Sequence, residues 1–202
     1  SYGAIFSSFL FLTMAGVTAL NFAGLFLYIA AAPVMLPESL GLGPSQFAWL
    51  FVPTVSGIFF GSLVANRLAG KMDFARQIRM GFFFMLGAVT FNVIYHAFLP
   101  PALPWTVAPM FFFTFGSSLI APGATLLALD LFPRIRGTVA SCQSFILTLL
   151  GAVVAGAVAP ALSHSVLALA LGQAFFVLLS LLCWDTARRH RRKLRARGEA
   201  TP

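Results

Sequence analysis

The sequence predicts an all-α membrane protein with six transmembrane helices. Three observations carry that expectation. Hydrophobic residues make up 59% of the chain and charged residues only 9%, against roughly 25% charged in ordinary soluble domains. A soluble fold of this length cannot hide so much apolar surface, so lipid must solvate much of it. Six apolar segments divide the chain, each near the ~20 residues that a helix needs to cross a bilayer. Finally, all thirteen basic residues fall in alternate connections or in the C-terminal stretch, so all lie on one side of the membrane.

The segments span about residues 9–32, 47–65, 81–98, 105–129, 139–162 and 166–184. In the first, Asn21 lies near mid-span, with Gly24, Leu25 and Tyr28 following at i+3, i+4 and i+7 on the same face. The connection after it starts at Pro33 and carries Glu38 but no basic residue. The second segment opens near Trp49 and contains Pro53 and the pair Gly57-x-x-x-Gly61. Such pairs of small residues let two helices approach closely. The connection over 66–80 holds Arg67, Lys71, Arg76 and Arg79. The third segment carries Asn92, and the next connection, with Trp105 at its far end, is uncharged.

The fourth segment contains Phe111, Phe112, Phe113 and Phe115, which point in successive directions, so at least one must face inward. It ends in a short charged turn, Asp130 to Thr138. There Pro133 stops the incoming helix, Gly137 is expected to permit the reversal, and Thr138 to cap the outgoing helix. Asp130, at the C-terminal end of its helix where negative charge is unfavourable, is expected to pair with a nearby Arg or the next helix N-terminus. Arg134 and Arg136 mark the turn as cytoplasmic. The fifth segment holds Gln143, the pair Ala152-x-x-x-Gly156 and Pro160. After a connection with only His164, the sixth carries Gln173 and closes at Trp184. Residues 1–187 therefore read as a membrane unit and 188–202 as a basic cytoplasmic tail facing anionic lipid head groups. Both termini are placed in the cytoplasm.

Amides are costly in lipid, so Asn21, Asn92, Gln143 and Gln173, with Tyr28, should face other helices or a cavity. Pro53, Pro109, Pro122 and Pro160 should bend their spans. Cys142 and Cys183 show no metal spacing and read as packing residues. His96, His164 and His190 lie on different segments, paired carboxylates and a P-loop are missing, and no Ser/His/Asp set is present. The sequence is thus not expected to encode an enzyme, to hold a cofactor or metal, or to bind nucleic acid. The chain does not begin with Met and reads as an excised half of a longer protein.

Two stretches carry a resemblance. The turn Leu129-Asp130-Leu131-Phe132-Pro133, with Gly137-Thr138 and Ala140-Ser141, resembles the loop between helices 10 and 11 of major facilitator superfamily drug:proton antiporters, closest to the bicyclomycin-resistance (Bcr/CflA) type. The stretch Asn21 to Ile29, then Ala32-Pro33, resembles helix 7 of that branch. The connection Gly61 to Lys71, with Asn66, Arg67 and Gly70, is similar to the superfamily's Gly-x-x-x-Asp-Arg-x-Gly-Arg loop. Here Asn66 replaces the acid and the spacing is one residue longer.

The resemblance implies the C-terminal six helices of a twelve-helix transporter, built as two inverted three-helix repeats. It implies an inner-membrane protein that exports drugs or other amphipathic small molecules against proton entry, partnered by an N-terminal six-helix half that holds the proton-coupling carboxylates. The first and fourth helices would line the cavity, the second and fifth would meet the other half, and the third and sixth would lie outside. Asn21, Leu25, Tyr28, Phe113 and Ser117 are the candidate cavity residues, with packing inside the bundle as their other reading. The alternatives are an uptake or metabolite transporter of the same fold and a non-transporting membrane scaffold.

Overall fold

The computed structural model describes residues 2–196, the Arg195 side chain excepted. Among the described residues all regular structure is helical, and six helices are long and apolar enough to cross a membrane. A short helix α1 (Tyr2–Phe6) precedes α2 (Phe9–Leu40), α3 (Ala48–Leu68), α4 (Phe74–Phe98) and α5 (Ala108–Leu129). The fifth crossing is composite: α6 (Arg136–Val153), a π-helical turn at Val154–Val158, then α7 (Ala159–Leu162). The last is α8 (Val166–Ala196).

Three spans run past their expected ends. The first does not stop at Ala32; α2 continues through Pro33 and Pro37 to Leu40. Each proline removes one N–H bond, whereas ending the helix there would strand several backbone groups in an apolar setting. Gly41 ends it instead: at φ 65° its N–H and that of Leu42 reach back to the carbonyls of Pro37 and Leu36, both at 3.1 Å. The third crossing starts seven residues before the expected position 81, at Phe74, because Gln77 and Ile78 are buried and belong to the packed face. The sixth does not give way to a tail at 188. Its basic residues are good helix formers, Asp185 pairs with Arg189 one turn on at 2.7 Å, and the helix runs to Ala196. The stretch 197–202, with Arg197 of the expected tail, lies outside the described residues.

The reversal after α5 also differs in its means. The chain turns at Asp130–Phe132 and then enters a 3-10 turn, Pro133–Ile135, so α6 already begins at Arg136. Gly137 is therefore helical without positive φ, and Thr138 sits inside the first turn and caps nothing. Arg136 Nη2 donates to Asp130 Oδ1, the partnership expected for that acid.

The packing order defines two triplets, α2–α3–α4 and α5–α6/α7–α8. The principal contacts run between them: α3 and α4 both pack on α5, while α6 and α8 both pack on α2. Exchanging the triplets maps these pairings onto each other. The first helices of the two triplets also touch, as do the last. This is the pattern that two intertwined repeats produce, and it accounts for the burial of α2 and α5 at the centre. Close approach depends on glycine. Gly57 and Gly61 of α3 lie against the backbone of α5 at Phe111 and Phe115, and a Cβ on Gly61 would stand 2.6 Å from the Phe115 carbonyl oxygen. Gly81 of α4 meets Gly116 of α5 backbone to backbone. The second expected pair makes no such contact: Ala152 and Gly156 are exposed and nothing stands within 4 Å of a Cβ on Gly156.

Candidate functional site

The interior holds a run of polar groups that crosses four helices. Asn92 of α4 donates through Nδ2 to the Tyr28 hydroxyl at 2.6 Å and toward Gln173 Oε1 of α8 at 3.4 Å. Gln173 in turn directs Nε2 at the Gly24 carbonyl and at Met110 Sδ of α5, both at 3.4 Å. The run continues toward the end of the bundle away from the basic residues, where His96 joins the Asn92 carbonyl at 2.8 Å to the Thr106 hydroxyl at 3.1 Å. A second set lies nearer the basic end. Gln143 Nε2 of α6 donates to Thr18 Oγ1 of α2 at 3.0 Å and Thr125 Oγ1 of α5 at 3.2 Å. Amides held this way join helices that the apolar faces alone leave free to rotate.

Asn21 stands between these two sets on α2. It is 2% exposed, and neither its amide nitrogen nor its amide oxygen has a hydrogen-bond partner. An orphaned primary amide in the interior costs the desolvation of both groups. Asn92 Oδ1 and Gln143 Oε1 are likewise buried without a donor. The site therefore offers neutral donors and acceptors. Glu38, Asp73, Asp130 and Asp185 all lie toward the ends of the apolar stretches, and among the described residues no group of His, Cys, Asp or Glu is arranged to hold a metal.

The five cavity candidates separate into two groups. Tyr28 and Phe113 are fully enclosed within the six helices, and Asn21 is nearly so. Gly24 makes room for the Phe113 ring, which would lie 2.9 Å from a Cβ there. These three point into the bundle, because α2 and α5 are its central helices. Leu25 and Ser117 are half-buried and reach the surface. Of the loop residues, Gly61 packs on α5, Asn66 and Arg67 are exposed on the last turn of α3, and Gly70 takes φ 75° in the turn before the exposed Lys71. Pro133, Arg134 and Arg136 form the 3-10 turn and the start of α6.

Sequence reasoning missed Gln77, Thr106 and His96 as interior groups. Gln77 is 2% exposed and donates to the Leu119 carbonyl at 3.0 Å. Flanked by Arg76 and Arg79, it reads as part of a charged connection. Only the spacing of Ile78, Phe82 and Met85, at i, i+4 and i+7, would have drawn the helix start back to it. At the end of the molecule away from the basic residues, His164 Nδ1 lies 2.8 Å from Glu38 Oε2, tying the end of α2 to the turn before α8.

With that geometry in place, comparison with known proteins adds a direction. The chain is similar to the multidrug resistance protein MdtM of Salmonella typhimurium (strain LT2), 29% identical over 149 residues that cover 72% of this chain and 36% of that protein. The proteins of the same name from Escherichia coli O157:H7 and Escherichia coli K12 are 27% and 26% identical over 145 residues, 71% of this chain and 35% of theirs. The chain thus spans about a third of the length of the curated relatives it matches. No protein-family model matches the chain, and no solved structure does. It is a multi-pass membrane protein by its six spans.

Proposed function

We propose that this chain is the C-terminal six-helix half of a major facilitator superfamily transporter of the bicyclomycin-resistance type, which exports drugs or other amphipathic small molecules from the cytoplasm in exchange for protons. The observation that carries this is the likeness to multidrug resistance proteins about three times as long as the matched stretch, in a chain whose helices form two interlocked triplets. Such repeats flank a substrate site near the bilayer midplane. The interior polar groups around Asn21 are neutral, so no fixed charge demands one kind of ligand. The other six-helix half supplies the carboxylate that takes up the proton, and both termini and the loops at Lys71 and Arg134 lie in the cytoplasm of the inner membrane.

Asn21 is the residue we assign to substrate, because its unpartnered amide is satisfied when a small molecule brings a donor or an acceptor. A ligand reaches it through the helix movements that alternating access entails. The test uses the full-length protein in cells lacking other efflux systems. Accumulation of several fluorescent cationic and neutral drugs is followed with and without a protonophore. Export that stops with the protonophore, and an Asn21→Ala variant made at normal level whose relative preference among drugs changes, is the expected result. Export of no tested drug by the wild-type protein, at confirmed expression, overturns the transport assignment; an unchanged preference in Asn21→Ala overturns the assignment of that residue alone.

A further inference from the structure

At the end of the bundle where the basic residues gather, α8, the start of α4 and the end of α5 enclose a cleft of about 220 Å³. One stripe of α8 forms a wall. Trp184, Arg188, Arg191 and Arg192 follow at i, i+4, i+7 and i+8, so helical geometry turns all four toward the same side. Opposite stand Phe74 and Ala75, the first two residues of α4, with Leu127 of α5. Asp73 is the N-cap of α4, but its carboxylate takes no hydrogen bond from the first turn. The opening amides of a 25-residue helix thus present their donors and the positive end of the helix dipole at the cleft. Among the described residues Asp73 is the one acid on the lining, which also carries the guanidinium groups of Arg188 and Arg192.

A second feature points the same way. Trp184 is only 4% exposed, and its indole N–H is buried without an acceptor. An indole closing an apolar span normally sits at head-group depth with its N–H satisfied. Here the N–H belongs to a residue that lines the cleft beside Arg188 and Arg192. The remaining lining, Phe74 and Leu127, is apolar, which suits a glycerol backbone arriving from the bilayer.

We propose that this cleft binds the phosphate of an anionic phospholipid, with Arg188 and Arg192 on the phosphate oxygens and the Trp184 indole and the first turn of α4 closing the site. Guanidinium groups hold such oxygens by charge-assisted, often paired hydrogen bonds. Soluble phosphate shares the chemistry; the apolar lining beside the arginines, Phe74 and Leu127, selects the lipid. The site does not depend on what the protein transports.

The test uses the full-length protein, purified in a neutral detergent and titrated with dioctanoyl phosphatidylglycerol, dioctanoyl phosphatidylcholine and inorganic phosphate, with bound lipid counted by native mass spectrometry. The expected result is a preference for phosphatidylglycerol that falls about tenfold in Arg188→Gln and in Arg192→Gln, falls by a smaller factor in Trp184→Phe, and holds within about twofold in Lys193→Gln, which removes an equal charge from a residue outside the cleft. Unchanged binding in both arginine variants, or an equal loss in Lys193→Gln, overturns the site. Displacement of the lipid by millimolar phosphate overturns the lipid assignment in favour of a soluble anion. Should the arginine variants fail to fold, Trp184→Phe decides: it keeps an aromatic ring and loses the N–H, and unchanged binding there counts against the proposal.

Discussion

Tyr28 shows how the chemistry of a single group can be legible in the sequence while its address is left open between two readings. A tyrosine seven residues from a buried asparagine suggested a wall open to substrate. Instead its hydroxyl accepts from Asn92 and its ring is sealed in the bundle. What the sequence could say is that a polar group at this depth needs a partner. Which partner depends on the rotation of α4 relative to α2, and no local pattern encodes that rotation. Tyr28→Phe should leave the Asn92 amide short of one acceptor and cost about 1 kcal/mol of stability. Thermal unfolding of the purified full-length protein would show it as a lowered midpoint, while a variant as stable as the parent would mean that Gln173 alone satisfies Asn92. Asn21 behaves differently, since it has no bond to lose: Asn21→Ala should fold at least as well as the parent, and a clear drop in its midpoint would reveal a partner for the amide.

At the scale of helices, the apolar segments announced themselves and their ends did not. Segment length and charge located all six crossings, because the bilayer imposes both. The ends were set by events that hydropathy does not weigh: Gly41 in the left-handed region, burial of Gln77 ahead of the apolar run, and the helix-forming basic residues after Trp184. The two small-residue pairs were equal as sequence and unequal in use. Gly57 and Gly61 lie against α5, whereas Gly156 faces outward from the π turn. Gly57→Leu must therefore push α3 away from the backbone of α5 and should cost about 1–3 kcal/mol or more, seen as lost folded yield in detergent size-exclusion profiles. Gly156→Leu should leave the profile intact. Equal behaviour of the two variants would contradict the packing of α3 on α5.

For the whole molecule, charge asymmetry carries the orientation. The basic residues of the connections lie at 67–79 and 134–136 and those of α8 from Arg188 onward, while Glu38 and His164 meet at the other end. Single cysteines placed at Glu38 and at His164 should react with a membrane-impermeant maleimide in intact cells, and cysteines at Lys71 or Arg134 only after the membrane is opened. The reverse pattern would invert the molecule. The two-triplet plan came with the family resemblance, and the segment count was legible from length and composition. The interlocking of the triplets was not, since it depends on which faces of six similar helices meet.

That interlocking has a consequence for how the protein is made. A ribosome delivers the helices in order, and α2, α3 and α4 emerge before any of their main partners exists. The glycines of α3 wait for α5, and the face of α2 around Gly16 and Gly24 waits for Cys183 and Gln173 of α8. Each of these early helices must therefore be apolar enough to remain in the bilayer before its partners within the bundle arrive. Assembly of this bundle can start only when α5 arrives, and its centre closes only with α8. Until α8 arrives, these helices lack the contacts that close their centre.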